Sequence, residues 1–439
     1  MSGINAMRKT FTIILLAALA ACSREVAPRQ YTMTIGASKD ADDPTKALSI
    51  DDSGARNVLN ATWTTGEEVT VYNVTTATLL GGCLVALNDG TSTTLSGTLI
   101  GEINPSDELT LNFLSPSYDG QNGSLNYIAA NCDFAQATVH VATVDGSNNI
   151  TVTEPYASFV NRQAIIRFTL KKKADNSLLE IPASTPLTVS DGADDYTVTP
   201  LSATSEVYVA IPATDTVNLS TTIGGVEYFY EKTGASLSAG QYYEITLKMG
   251  RVVPLASISA NTSLLNGDKA SGTLGGNYMI SIADGATVTL EGVTINGVND
   301  DDYSWAGLTC LGDAVINLSG DNSVKGFYSD YPGIYVPVGH TLTIQGSGTL
   351  TAQCYSTKSG SAAGIGGGNC MDCGNITISG DVGGVTARKG SLALHSIGAG
   401  ADSSCGTVTL GGTVYWDGSS YQNGGASILP ENPLVFPFP

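Results

Sequence analysis

Histidine and tryptophan number three each in a chain of 439 residues, and charged side chains make up only 14% of it. The histidines, at 140, 340 and 395, are far apart in sequence and form no motif that ligates metal or relays protons, which argues against histidine-based catalysis. Basic residues are scarce: 20 Lys and Arg stand against 40 Asp and Glu, for a net charge of −20. A surface of that sign repels phosphate backbones and anionic lipid, so nucleic acid is not an expected partner. Beyond the first twenty residues no stretch keeps a helical period, and no apolar run is long enough to cross a bilayer. What the chain has in quantity is glycine, 51 residues, with Thr and Ser between short alternating apolar runs. That composition predicts an all-β protein with room for two or three domains.

The amino terminus reads as an export signal, with Arg8 and Lys9 ahead of a short apolar run. It ends in Leu19-Ala20-Ala21-Cys22, which looks like a bacterial lipobox whose Cys22 is acylated and becomes the mature amino terminus. Ordinary cleavage at the small residues is the alternative. Lipidation would hang the fold outside the cytoplasm, on the outer membrane through its anchor. Seven cysteines then remain, an odd number too unevenly spread for a disulfide framework. Cys370 and Cys373 have CxxC spacing, and Cys405 follows Cys373 by 32 residues. Small buried hydrophobes, a disulfide, and a zinc site with His395 nearby are the readings open for this group.

Alternating strands with turn residues between them run from residue 31 to residue 250. They are expected at 31–38, 68–74, 79–87, 93–99, 109–114, 138–144, 164–171, 187–189, 206–211, 217–223, 226–231 and 242–248. A dozen strands fit two packed sandwiches, with a break near Pro155 to Asn161. The run Lys171 to Lys173 reads as a solvated hairpin end. Thr62-Trp63-Thr64-Thr65-Gly66-Glu67-Glu68-Val69, Phe113-Leu114-Ser115-Pro116-Ser117-Tyr118, Asn161-Arg162-Gln163-Ala164-Ile165-Ile166-Arg167-Phe168 and Gly240-Gln241-Tyr242-Tyr243-Glu244-Ile245 follow in that order. In order and spacing, these segments resemble the fimbrillin-like lipoproteins of Gram-negative anaerobes, over about residues 31–249. The resemblance implies a pilin built of two transthyretin-like sandwiches. It also implies that an amino-terminal strand is cut away after a basic residue and that a neighbouring subunit donates a strand to the groove. Residues 31–38 are the candidate removable strand, and Lys46 or Arg56, in the polar connection behind it, the candidate cut. Family stalk subunits end soon after the second sandwich, whereas this chain continues well beyond Met249, which counts against a stalk role.

Within residues 279–422 one pattern returns five times: Val288-Thr289-Leu290-Glu291-Gly292, Ile316-Asn317-Leu318-Ser319-Gly320, Leu342-Thr343-Ile344-Gln345-Gly346, Ile376-Thr377-Ile378-Ser379-Gly380 and Val408-Thr409-Leu410-Gly411-Gly412. The central aliphatics are 28, 26, 34 and 32 residues apart. Periods of that size indicate a solenoid, here a parallel β-helix of about five rungs. Strand alternation would stack Val288, Ile316, Leu342, Ile376 and Val408 in one inner column and Leu290, Leu318, Ile344, Ile378 and Leu410 in the next, with glycine at the corner. The expected order is thus signal peptide 1–21, tether 22–30, sandwiches 31–157 and 158–250, linker or cap 251–276, β-helix 277–425 and a Pro-rich cap 426–439. Prolines in that tail make it a poor donor strand and suit it to covering the last rung. Gly364 to Gly368 and the segment from Cys373 to Ile378 are similar to motifs of carbohydrate-binding β-helices, which implies binding and no reaction.

Residue chemistry agrees with binding. A polysaccharide lyase or hydrolase needs clustered carboxylates and, for a lyase, a basic partner. Asp300, Asp301 and Asp302 are the solenoid's only acidic run, and Lys325, Arg388 and Lys389 fall at unmatched offsets. The sequence therefore calls for no catalytic residue, metal or cofactor. Aromatic residues recur at comparable offsets on consecutive rungs and would line one corner: Tyr303 and Trp305, then Tyr331, then Tyr355. With Asn299, Asp301 and Asp302 they are the candidate ligand contacts for a carbohydrate or another surface ligand. Packing of several of these rings into the core is the competing expectation.

Overall fold

The computed structural model describes residues 28–39, 49–50, 59–60 and 62–438. Cys22, Lys46 and Arg56 lie outside the described residues, as do the export signal and most of the tether. The described chain is all-β, with only short helical turns.

Sequence alternation sets the first unit. In β1 (Gln30–Lys39) the residues Tyr31, Met33, Ile35 and Ala37 point inward and are buried. After it come β2 (Glu68–Asn73), β3 (Gly81–Ala86), β4 (Ser92–Ile100), β5 (Glu108–Phe113), β6 (Ala135–Val144), β7 (Asn149–Val152) and β8 (Tyr156–Asn161). The sheet runs from β4 through β3, β2, β5 and β6 to β7 and β8, and β1 closes it on itself. On one side β1 is antiparallel to β4 from Gln30↔Ile100 to Ser38↔Ser92; on the other it is parallel to β7 and β8. Trp63 fills the interior, edge-on to Phe159 at 5.2 Å and Phe113 at 5.8 Å. Because Phe159 belongs to this core and β8 pairs with both β1 and β6, the unit extends to Asn161, the far end of the stretch in which the break is expected.

The second unit comprises β9 (Gln163–Lys172), β10 (Leu187–Ser190), β11 (Asp195–Val198), β12 (Glu206–Pro212), β13 (Thr214–Ile223), β14 (Val226–Leu237) and β15 (Tyr242–Pro254). One layer is β12-β9-β15, the other β11-β10-β13-β14, and Ile166, Phe168, Val189, Val209 and Leu219 are buried in its core. One helix, α1 (Leu125–Asn131), is capped where Ser124 Oγ accepts the Tyr127 N–H at 3.2 Å. It was not anticipated from the sequence, and it carries Ile128 into the core of the second unit.

β15 continues past the second unit. Its last residues, Val252 to Pro254, pair in parallel with Lys269 to Ser271, so the stretch 251–276, expected as a linker or cap, contributes strands Thr262–Leu264 and Lys269–Thr273 to a stack. Three parallel ladders build that stack. The first passes through Lys269–Thr273, Ala286–Ile295, Ala314–Ser319, Thr341–Gln345, Asn375–Ile378 and Thr407–Leu410. The second begins where the end of Ala286–Ile295 pairs with Asp321–Lys325, and passes on through Thr349–Gln353 and Gly384–Arg388. The third joins Thr262–Leu264, Ile280–Ile282, Leu308–Cys310, Ile334–Tyr335, Ile365–Gly366 and Ile397–Gly398. Inward aliphatics from all three form one continuous core.

The columns differ from the expected ones at one step. Val288 pairs with Ile316 and Leu290 with Leu318, but Ile316 then pairs with Ile344, and Leu342 with Ala314. This coil has the shortest interval, 26 residues against 28 before it, and the strand slides by two. An even slide keeps every aliphatic on the inner face, so Ile316, Leu342 and Ile344 all remain fully buried. It also brings Gly346 (φ +100°) onto Leu318, where an added Cβ would stand 2.6 Å from the Leu318 carbonyl oxygen.

At the far end Thr407–Leu410 turns back antiparallel into Thr413–Asp417, and the tail strand Leu434–Phe436 pairs antiparallel with Gly384–Arg388. Leu434 and Phe436 are buried in the core of the stack.

Candidate functional site

The aromatic corner lies where the second ladder passes to the third, across loops of unequal length. Leu308 pairs with Ile334, and Trp305 and Tyr331 each stand three residues before that pair, so they hold the same position on neighbouring coils. Tyr303 packs edge-on against Trp305 at 5.4 Å. Trp305 in turn rests on Phe327 at 5.7 Å, a ring with no exposure at all. Backbone bonds tie the loop down: the Phe327 N–H donates to Trp305 O at 3.1 Å and the Asn299 N–H to Phe327 O at 2.8 Å.

These contacts divide the expected ligand residues. Tyr303 and Trp305 are half-buried and pack against the core of the stack, and the indole Nε1 of Trp305 is enclosed without a hydrogen-bond partner. Trp305 is thus as much the plug of the corner as a platform on it. Tyr331 is half-buried on the next coil. Tyr355, a coil further on, has the Lys325 ammonium 4.0 Å from its ring centroid, so that one face already carries a cation. Asn299, at φ +56°, accepts the Ser329 hydroxyl at 2.7 Å. Asp301 and Asp302 are exposed on a single 3-10 turn, where the Asp302 N–H donates to Asp300 Oδ1 at 3.1 Å. One loop therefore gathers Asn299, Asp301, Asp302, Tyr303 and Trp305, with Tyr331 beside it; Tyr355 belongs to the loop of the following coil.

Among the described residues, the only trio of metal-type ligands within 4.8 Å of one another is Asp300, Asp301 and Asp302, all exposed. Cys373, Cys405 and His395 do not make such a trio. Lys389 donates to the Ala393 carbonyl at 2.5 Å, and its burial pushes the amine below the usual lysine range. Lys325 is likewise engaged, over the Tyr355 ring.

One cavity had no signal in the sequence. A groove of about 470 Å³ at the junction of the second unit and the stack is lined by Lys173, Lys248, Phe229, Tyr230, Thr289 and Asn317, among others. Strand pairing creates it: Lys171 sits beside Lys248 in parallel register, and the Lys173 side chain lies against Gly267. Lys173, read from the sequence as part of a solvated hairpin end, lines its wall.

No protein-family model matches the chain, and no curated protein does. Solved structures similar to it include a fimbrial protein from Bacteroides ovatus ATCC 8483, at 10% identity and a TM-score of 0.26, covering 50% of this chain and 49% of that one. Another is a fimbrial assembly protein from Parabacteroides distasonis ATCC 8503, at 13% identity and a TM-score of 0.24, covering 50% of this chain and 90% of that one. The match spans about half the length of the first. At these TM-scores the likeness carries no inference about this chain.

Proposed function

We propose that the chain is a non-enzymatic cell-surface lipoprotein of the fimbrillin-like type. In this reading it is anchored through Cys22 until a cut after Lys46 or Arg56 parts it from β1 and the anchor, its first two units are transthyretin-like sandwiches, and its carboxy-terminal half is a parallel β-helix that binds a carbohydrate. The observation that carries the reading is the seat of β1. That strand is paired along both edges and buries Tyr31, Met33, Ile35 and Ala37, so its removal would leave an apolar groove flanked by the unpaired edges of β4, β7 and β8. A groove of that kind accepts a strand from another chain, which restores the hydrogen bonds and refills the interior. The in-register parallel ladders and the 26- to 34-residue repeat support the β-helix assignment.

The other end of the chain limits the kind of subunit this is. The tail strand Leu434–Phe436 is paired into the last coils with Leu434 and Phe436 buried, so this strand is not free to act as donor. A subunit that accepts a strand in place of β1 while this tail stays seated suits one end of a polymer, with its β-helix presented outward. The same engaged tail favours a second reading, a glycan-binding outer-membrane lipoprotein that keeps β1 and never polymerises. Combined Lys46→Ala and Arg56→Ala substitution separates the two. The first reading expects β1 to be retained and higher assemblies lost, whereas assemblies unaffected by the double substitution contradict it.

A further inference from the structure

Two thiols and an imidazole meet near the last coil and have no part in adhesion. Cys373 and Cys405 face each other across a parallel bridge between neighbouring coils. The Cys373 N–H donates to Ser404 O at 2.9 Å and the Gly406 N–H to Cys373 O at 2.9 Å, which locks the two backbones in register. Paired neighbours of this kind stand about 4.8 Å apart, inside the roughly 4.4–6.8 Å between Cα atoms that a disulfide tolerates. Both residues are buried, at 3% and 5% exposure, and the Cys373 thiol donates to Gly398 O at 3.4 Å.

His395 completes the group. It has no exposure, its Nδ1 accepts the Ala399 N–H at 3.3 Å, and its Nε2 lies 2.8 Å from the Tyr421 hydroxyl. The backbone at Gly398 passes between the imidazole and the sulfur: a Cβ there would stand 2.9 Å from His395 Nδ1 and 3.2 Å from Cys405 Sγ. Trp416 covers the cluster, with its Nε1 donating to Cys405 O at 3.2 Å and its ring 5.6 Å from that of His395. The neighbouring Cys373 thiol, opposed by burial and aided by His395, holds Cys405 below the ordinary thiol range, whereas Cys405 and burial push Cys373 well above it. Cys370, the CxxC partner of Cys373, is exposed and stands outside the bridge.

We propose that Cys373 and Cys405 form a disulfide, a staple between the last two coils made by exchange with a low-molecular-weight or protein disulfide as the final coil closes. The Cys405 thiolate attacks one sulfur of the oxidant; a mixed disulfide forms, and the other half of the oxidant leaves as a thiolate with the electron pair of the broken bond. Cys373 then gives up its proton and attacks Cys405 Sγ, which closes the bridge and expels the second half as a thiolate. Two protein thiols lose two protons and two electrons, and the oxidant disulfide becomes two thiols. A standing bridge in the cell rests on the export reading, because cytosolic thiols are kept reduced. The ability of the pair to form it does not.

The test refolds the reduced full chain with oxidised glutathione, alkylates the remaining thiols and digests with trypsin, which cuts between the two cysteines at Arg388 and Lys389. The expected product is the Cys373 peptide linked to the Cys405 peptide, lighter by two hydrogens than the two free peptides together. The link persists in Cys370→Ser and is lost in Cys405→Ser, and the oxidised protein melts at a higher temperature than the reduced one. Quantitative alkylation of both cysteines in refolded wild type, or a link that runs through Cys370, overturns the proposal. The same digest of protein taken from cells bears on export alone: a pair that links on refolding yet is found reduced in cells contradicts export and leaves the pairing intact.

Discussion

Arg251 and Asp268 fasten the second unit to the first coil of the stack. Arg251, on β15, donates from Nε to Asp268 Oδ1 at 2.9 Å and from Nη2 to Oδ2, and the carboxylate, at 1% exposure, also accepts the Leu265 N–H at 2.7 Å. Removing one partner of such a pair strands the other with its desolvation cost unmet. Asp268→Ala is therefore expected to cost about 2–3 kcal/mol, set below the full penalty for a buried pair because Arg251 is partly exposed. Urea unfolding measures this; an unchanged midpoint would mean that the pair does not couple the two parts.

The corner rings predict a split between binding and stability. If a sugar face covers on the order of 50 Å² of ring, each contact is worth roughly 1 kcal/mol. Tyr303→Ala combined with Tyr331→Ala should then weaken binding of a glycan-array hit about tenfold or more with little change in melting temperature. Trp305→Ala should instead destabilise the stack, by about 3 kcal/mol, because it uncovers Phe327. Tyr355→Ala should matter least for binding, since Lys325 already occupies one face. A folded Tyr303→Ala, Tyr331→Ala double variant that binds as well as wild type places the ligand elsewhere, and the junction groove with Lys173 and Lys248 becomes the next surface to test.

The tail should act as a lid. Truncation after Pro430 removes Leu434 and Phe436 from the core and bares the edge of Gly384–Arg388, so the variant is expected to melt lower and to self-associate through the opened edge. Thermal denaturation with light scattering reads both. A truncated chain that stays monomeric at the wild-type melting temperature shows that the tail is dispensable.

His140 and Glu154, 2.7 Å apart, give a pH signature. The hydrogen bond to Glu154 is the main influence raising His140 above the ordinary imidazole value. Burial pushes Glu154 up, but the His140 backbone N–H and ring outweigh it and bring the carboxyl down to about 2. The imidazolium contribution to stability is complete below the ordinary histidine pKa, about 6.5, and is lost as pH rises through the raised folded value. The carboxylate contribution is present above the ordinary glutamate value and is lost only as pH falls toward the lowered one. NMR titration should show a lower His140 midpoint in Glu154→Gln, and wild type should out-melt that variant at pH 5.5 by more than at pH 8. Equal midpoints contradict the pairing.

Much of this was legible in the sequence where one residue's neighbours lie along the same strand. Alternation located β1 and most strands of the first two units, and the aliphatic-polar-aliphatic repeat located the first ladder. The strand Asp195–Val198 escaped because it follows directly on the turn-forming run Asp191 to Asp194, and Tyr156–Asn161 because Pro155 to Asn161 read as a break. The two-residue slide between Ile316 and Ile344 depends on how far each loop must travel, which the repeat reveals only through its interval. For the site, loop membership was readable, whereas the support of Trp305 by buried Phe327, the cation over Tyr355 and the meeting of Lys171 with Lys248 arise from pairing across coils and strands.

Amino-terminal sequencing of the protein in surface assemblies reads the fate of β1. Assembled subunits are expected to begin at Ala47 or Asn57, after a cut at Lys46 or Arg56, with β1 absent and the groove between β4 and β8 refilled by another chain. Assembled subunits that still carry β1 behind an acylated Cys22 would contradict that expectation.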